Sequence, residues 1–443
     1  MKILRSLYLT NRFFVALGII AAMFAASFYA IWLIPIAKTL LTLLILLTLV
    51  EIAALFKRNA GISAERKTPE RLSNGDYNEI SVSLVNTYGF TANVTVIDEI
   101  PFQFQIRDSF YCFKMPSGTS FTIEYNLRPV KRGNYSFGAI NVFVSTVFNL
   151  AERRFRFSQD TDVPVYPSYL QMRRYELLAI SDRLREMGAK RIHKVGYSME
   201  FDGIRQYATG DDYRIVNWKA SARAGNLMVN YYTDEKSQRV YNVIDKGRAM
   251  KMPFEGMTLL DYAINAALAM AKVSLAKQDK AGLITFSHKQ GVIIPADGRS
   301  GQMRLIQEAL FAEKTGYAES NFEHPYTMLK KCAPQRSLVL FYTNFETLGG
   351  MERALPLLRG IAKNHLLIVI FFENTELTSS LESDAETVED IYIKTIAEKF
   401  CHEKRRIVKE LHRHGIQSLL TSPQNLTVNA INKYLEIKLR RMI

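Results

Sequence analysis

Residues 13–55 carry only two charged side chains, Lys38 and Glu51. No other feature restricts the possible folds as much. Residues 13–33 number 21, which as a helix reach about 31 Å against a bilayer core of about 30 Å. Pro35 is expected to break this run. A second apolar run, residues 39–55, has 17 residues and lies within the range for a span. Tyr29 and Trp32 fall where an interfacial aromatic belt belongs. The sequence therefore predicts a helical hairpin with a tight turn around Pro35 and Lys38.

Flanking cations set the expected orientation. Lys2, Arg5 and Arg12 precede the hairpin, and Lys57, Arg58, Arg66 and Lys67 follow it. The turn holds only Lys38, so the positive-inside rule places both termini and the soluble domains in the cytoplasm, at an inner (plasma) membrane. A cleaved signal peptide fits less well, because its apolar region would be too long and another span follows at once. Three Asn-x-Ser/Thr sequons (Asn93, Asn134, Asn425) are chance matches on this topology. The formal net charge of +14 suits either nucleic acid or an anionic inner leaflet, and the hairpin favours the leaflet. The three cysteines, Cys112, Cys332 and Cys401, form neither a disulfide framework nor a CxxC pair.

Length suggests two or three domains. The expected division is a membrane anchor at 1–58, a β-sandwich-like domain at 59–166, a linker helix with a polar motif at 167–238, and an α/β domain at 239–443. In the second segment ISVSLVN, ANVTVIDEI, FTIEYNL and INVFVST alternate with period two, with turn signals between them. Residues 167–200 read as a basic helix bearing Arg173, Arg174, Arg183, Arg185, Lys190, Arg191 and Lys194, either a solvated face or a phosphate-facing surface. From residue 239 short apolar strands alternate with helices, including a long charged helix at about 385–414. That pattern predicts a parallel sheet buried on both faces, in a doubly wound α/β architecture with ligands beyond the strands' carboxyl ends.

The densest polar stretch, residues 200–223, reads EFDGIRQYATGDDYRIVNWKASAR. Glu200, Asp211, Asp212 and Lys219 could serve a metal-dependent hydrolase or nuclease if the acids converged on one ion. An ion-pair network around a Gly210-Asp211-Asp212 turn is the simpler expectation.

This stretch, continued through AGNLMVNYYTDE and YNVIDKGRAM, resembles the domain-of-unknown-function-58 family. The matching positions are Arg205, Tyr207, Gly210, Asp211, Asp212, Arg214, Asn217, Trp218, Lys219, Ser221, Arg223 and Glu235. RPVKRGNYSFG and VFNLAERRF are similar to the β domain that precedes this motif in many members. The resemblance implies a von Willebrand factor type A-like α/β domain and a MoxR-type AAA+ ATPase as partner, in envelope assembly or stress functions. It implies no enzymatic activity.

Such domains often hold Mg²⁺ through Asp-x-Ser-x-Ser after the first strand. The matching segment here is Asp245-Lys246-Gly247-Arg248-Ala249, in which the aspartate stays but both hydroxyls are missing. Thr258 is the candidate distal threonine, and Asn344 stands where an acid is expected. Missing hydroxyls and added cations argue against a tight Mg²⁺ site. Arg248 is expected instead to take the metal's place and meet an acidic partner, which makes Asp245, Lys246, Arg248, Thr258 and Asn344 the candidate partner-binding set. His402, His412 and His414 lack metal-pair spacing, and no phosphate loop, dinucleotide fingerprint or nucleophile elbow occurs. The expected function is that of a non-enzymatic, membrane-anchored cytoplasmic adaptor or scaffold with no cofactor and no nucleic-acid ligand. The alternatives are a basic nucleic-acid or anionic-lipid binder, and the hydrolase just described.

Overall fold

In the computed structural model, which describes residues 6–57, 61–106, 110–158, 160–168, 199–208, 211–234, 237–375, 387–440 and 442, the apolar run folds as two helices. Strand β1 (Leu7–Leu9) leads into α1 (Asn11–Ala26), and α2 spans Leu33–Leu55. The first helix is shorter than expected and ends before Ser27. Pro35 is not the breaker. It sits in the first turn of α2, where its missing N–H would have had no intrahelical partner anyway. The turn is made by residues 27–32, and Phe28, Tyr29 and Trp32 are exposed there. By length and composition α2 could cross a membrane, with a mean hydropathy of 2.3.

The chain divides into two units, Met1–Tyr166 and Pro167–Ile443. The first continues with β2 (Ile62–Lys67), β3 (Leu72–Ser73), β4 (Asn78–Asn86), β5 (Ala92–Asp98), β6 (Phe110–Met115), β7 (Ser120–Leu127), β8 (Gly133–Phe137), β9 (Ile140–Ser145), β10 (Ala151–Phe157) and β11 (Thr161–Tyr166). Among the described residues a five-stranded sheet, β1-β10-β9-β5-β6, faces a three-stranded sheet, β2-β4-β7. The inward residues of their alternating strands, such as Val82, Leu84, Val94, Val96, Val142 and Val144, form one core. A second small sheet, β3-β11-β8, closes its own cluster around Leu72, Tyr135 and Val165.

Glu51 explains how the hairpin joins this unit. Its carboxylate accepts the backbone N–H groups of Leu150 (2.9 Å) and Ala151 (3.1 Å) and the hydroxyl of Thr146. The last carbonyl of α2, at Leu55, accepts from Tyr88 Oη (2.8 Å) and Arg153 Nη1 (2.6 Å). These donors satisfy an end that the helix leaves open. Because β1 pairs with β10 in the same sheet, both ends of the hairpin return to the β unit.

Among the described residues, the first elements of the second unit are a hairpin, β12 (Met199–Gln206) and β13 (Met228–Asp234), enclosing the short helix α3 (Trp218–Ala224). There follow β14 (Arg239–Asp245), the small hairpin β15 (Pro253–Phe254) and β16 (Met257–Thr258), α4 (Leu259–Ala276), β17 (Lys280–Phe286), β18 (Gln290–Asp297), α5 (Gln302–Ala312), α6 (Glu323–Cys332), β19 (Leu338–Tyr342), α7 (Leu348–Asn364), β20 (Leu366–Phe372), α8 (Val388–Arg413), β21 (Gln417–Thr421) and α9 (Leu426–Leu439). Six of these strands make one sheet in the order β18-β17-β14-β19-β20-β21. Val240 and Ile244 point to the face covered by α4, α5 and α9, whereas Tyr241 and Val243 point to the face covered by α6, α7 and α8. Two-sided burial is why these strands read as unbroken apolar runs.

The sheet is not wholly parallel, as the alternation had suggested. β18 runs antiparallel to β17, because only residues 287–289 connect them and a parallel return needs a dozen residues or more. Helix α4 is also long and apolar, but it is the buried core helix of this unit. The expected basic helix falls mainly on residues 169–198, outside the described residues.

Candidate functional site

Asp245 ends β14, next to the point where the strand order reverses between β14 and β19. In doubly wound sheets that is where ligands collect. Its carboxyl is 2% exposed and fully engaged by its own chain. Oδ1 accepts the Gly247 N–H at 2.8 Å and the Ser320 hydroxyl, and Oδ2 accepts the Thr343 hydroxyl at 2.7 Å. Burial pushes the carboxyl above its ordinary range, against the downward pull of these three donors.

Two hydroxyls thus reach Asp245, but from positions outside its own loop. The missed residues are Ser320 and Thr343. Gly247 was the available signal. A Cβ there would stand 1.9 Å from Ser320 Oγ, so the residue at the motif's first serine position has to be glycine for Ser320 to enter.

The other expected members of this set scatter. Thr258 does not join Asp245, because its side chain forms a capping box with Asp261 at the start of α4. Lys246 pairs with Glu313 at 2.5 Å, and Glu313 also accepts the Thr285 hydroxyl at 2.7 Å. That pairing fastens the 313–320 connection beside the site. Arg248 does not fill the metal's place on Asp245. Its guanidinium lies 3.6 Å from Glu319, with both side chains exposed, a geometry worth little in water. Asn344 is buried and its Oδ1 accepts Lys404 Nζ at 2.7 Å. Asp245, Arg248, Ser320, Thr343, Asn344 and Arg353 line an open cleft of about 420 Å³. Among the described residues no group of three His, Cys, Asp or Glu side chains is placed to hold a metal ion.

The polar motif occupies the β12–β13 hairpin and α3. Several of its residues serve local structure. Asp211 accepts the Ala208 N–H at 2.9 Å and Arg205 Nη2 at 2.6 Å, and these two, the Ala208 N–H first, hold its carboxyl below the usual range. Asp212 accepts the Arg214 N–H at 3.0 Å. Asn217 caps α3 through the Ala220 N–H at 3.0 Å and donates to Asn230 Oδ1 at 2.8 Å. Ser221 links α3 to β13, donating to the Asn217 carbonyl and accepting the Met228 N–H, each at 2.8 Å. The two aspartates are spent separately and do not converge on one point. Gly210 and Glu235 lie outside the described residues, as does the side chain of Glu200.

The remaining motif residues face solvent. Trp218 is 71% exposed and Tyr213 72%, and Tyr207, Arg214, Lys219 and Arg223 are exposed beside them. Arg214 lies 5.8 Å from the ring centroid of its neighbour Tyr213. Val229 is the single buried side chain among those described in this lobe. Residues 203–410 match the family model described as "Protein of unknown function DUF58". That segment, a little under half of the chain, is similar to the DUF58 family. The DUF58 segment thus includes the exposed motif and most of the α/β sheet. An uncharacterized protein of Bacillus subtilis (strain 168), YeaD, is 30% identical over 130 residues, which is 29% of this chain and 31% of that protein. The match therefore spans less than a third of that relative's length. Among solved structures, the CARDB domain of the PF1109 protein from Pyrococcus furiosus is 18% identical, covering 24% of this chain and 90% of its own at a TM-score of 0.19. A PapD-like domain of human CEP192 is 12% identical, covering 24% of this chain and 86% of its own at 0.18. Scores this low carry no argument about fold or ligand.

Proposed function

We propose that this protein is a non-enzymatic, membrane-anchored adaptor that binds a protein partner through the exposed lobe of its second unit. One observation carries this reading. The β12–β13 hairpin and α3 bury a single described side chain, yet they present Trp218, Tyr213 and Tyr207 among Arg214, Lys219 and Arg223. Exposed tryptophan, tyrosine and arginine on one lobe is the composition of interface hot spots. The three cations make no ion pair among the described residues, so an acidic partner surface would complement them.

The partner implied by the family resemblance is a MoxR-type AAA+ ATPase, with envelope assembly or stress as the setting. The α/β unit is read as von Willebrand factor type A-like, and support comes from its strand order and from Asp245 at the end of the first strand. The hairpin is read as an inner-membrane anchor with the soluble units in the cytoplasm. Support comes from the flanking cations and from both hairpin ends returning to one β unit. No cofactor and no nucleic acid are part of the proposal.

The test is affinity purification of the tagged full-length protein from gently solubilised membranes, with mass spectrometry of what is retained. A MoxR-type ATPase should be enriched with the wild type, retained with Arg248→Glu, and lost with the pair Trp218→Ala and Arg214→Glu. Loss with Arg248→Glu alone would move the contact to the Asp245 cleft. Absence of any ATPase from the wild-type sample would sink the adaptor reading.

A further inference from the structure

Beside the Asp245 cleft, and separate from the proposed docking lobe, lies a second cavity of about 300 Å³. It opens past the carboxyl ends of β19, β20 and β21. Phe254, Leu259, Phe372, Phe400 and Leu420 supply its apolar wall. Into this wall projects Lys404 from the middle of α8. Its amine donates to Asn344 Oδ1 at 2.7 Å and lies 5.7 Å from the centroid of the Phe371 ring. An ammonium carries three donors, and a single one of them has a hydrogen-bond acceptor among the described residues. No carboxylate comes within 4 Å of it there, although Glu346 and Glu373 line the same cavity. Burial pulls Lys404 down to about 8, with the Glu346 charge opposing that shift. A cation left half-satisfied in apolar surroundings is costly unless something pairs with it.

We propose that this cavity binds a small apolar carboxylate, whose carboxylate oxygens take the unclaimed Lys404 donors while its apolar body fills the aromatic chamber. The volume lies at the lower end of ligand cavities, which limits the body to about the size of one ring and a short chain. Glu346 and Glu373 disfavour a ligand with more than one negative charge. Asn344 acquires a role that the sequence did not suggest. Where an acid would neutralise Lys404 internally, the amide holds the amine in place and leaves its charge for the ligand.

The experiment is equilibrium dialysis of the full chain in lipid nanodiscs, with empty nanodiscs as the blank. The probes are 4-phenylbutanoate and its uncharged counterpart 4-phenylbutanol. The wild type should retain the acid in excess over the blank. Lys404→Met, which keeps the stem and removes the charge, should weaken the acid roughly tenfold or more while leaving the alcohol unchanged. Leu420→Trp, which fills the chamber, should remove both. The proposal is overturned if the wild type retains no acid at millimolar concentration. It is equally overturned if Lys404→Met binds the acid as the wild type does, or if Leu420→Trp still binds it.

Discussion

Asp245 illustrates how one residue's surroundings decide its chemistry. A surface aspartate is ionised and free to bind a cation, but this one is buried beneath two hydroxyls and a backbone N–H. Its folded carboxyl titrates above the unfolded value, so its proton is held more tightly in the folded state. The stability tied to that proton is fully present below the unfolded pKa and is lost as pH rises through the folded one. Asp245→Asn removes this loss, and its amide can still accept from Gly247 and Ser320 while its NH₂ donates to Thr343. Thermal denaturation at pH 7 should therefore find Asp245→Asn at least as stable as the wild type. Asp245→Ala, which strands three donors, should lose about 2–4 kcal/mol. A cost as large for asparagine as for alanine would mean that the negative charge itself is needed.

Between elements, a few polar contacts hold much of the first unit together. Arg66 on β2 and Asp98 at the end of β5 form a buried bidentate ion pair. Tyr125 donates to the same carboxylate, and Arg66 reaches the Gly138 carbonyl at 2.9 Å. Removing one partner leaves an unpaired buried charge, so Arg66→Ala should cost about 3–5 kcal/mol. Adding Asp98→Ala should cost much less than a second such loss, and a double-mutant cycle in urea denaturation reads the coupling directly. Glu51 holds α2 to β10 in a comparable way. Glu51→Ala leaves the Leu150 and Ala151 N–H groups without acceptors and should destabilise the first unit by about 2–4 kcal/mol, whereas Glu51→Gln should cost far less. Equal losses for the two variants would show that charge matters more than the acceptor.

At the scale of the whole molecule, the hairpin proposed as an anchor is also part of a core. Ile52 and Phe56 pack against the same cluster as Leu55, which is fully buried. Deleting residues 6–57 should release the protein from carbonate-washed membranes. It should also lower the melting temperature of the first unit, because Leu55 leaves the core and β1 leaves the edge of the five-stranded sheet. A deletion variant that stays with the membrane would overturn the anchor reading, and one with unchanged melting would show that the packing of Leu55 contributes nothing measurable.

By itself, the sequence determined what depends on local pattern. The apolar run, the period-two strands of the β unit, the apolar strands of the sheet and the polar motif inside the segment that the family model matches were all legible, because spacing and side-chain type act over a few residues. Tertiary structure decided what depends on distant residues meeting. Glu51 reads as a defect in an apolar helix until Leu150 and Ala151 arrive from 99 and 100 residues away. Thr258 resembles a metal-site threonine, but its nearest partner, Asp261, takes it for a helix cap. Ser320, 75 residues from Asp245, supplies the hydroxyl that the local motif lacks. Lys404 and Asn344 lie 60 residues apart, and no spacing rule links them. Their contact comes from α8 packing against the ends of the strands, and that packing also forms the cavity.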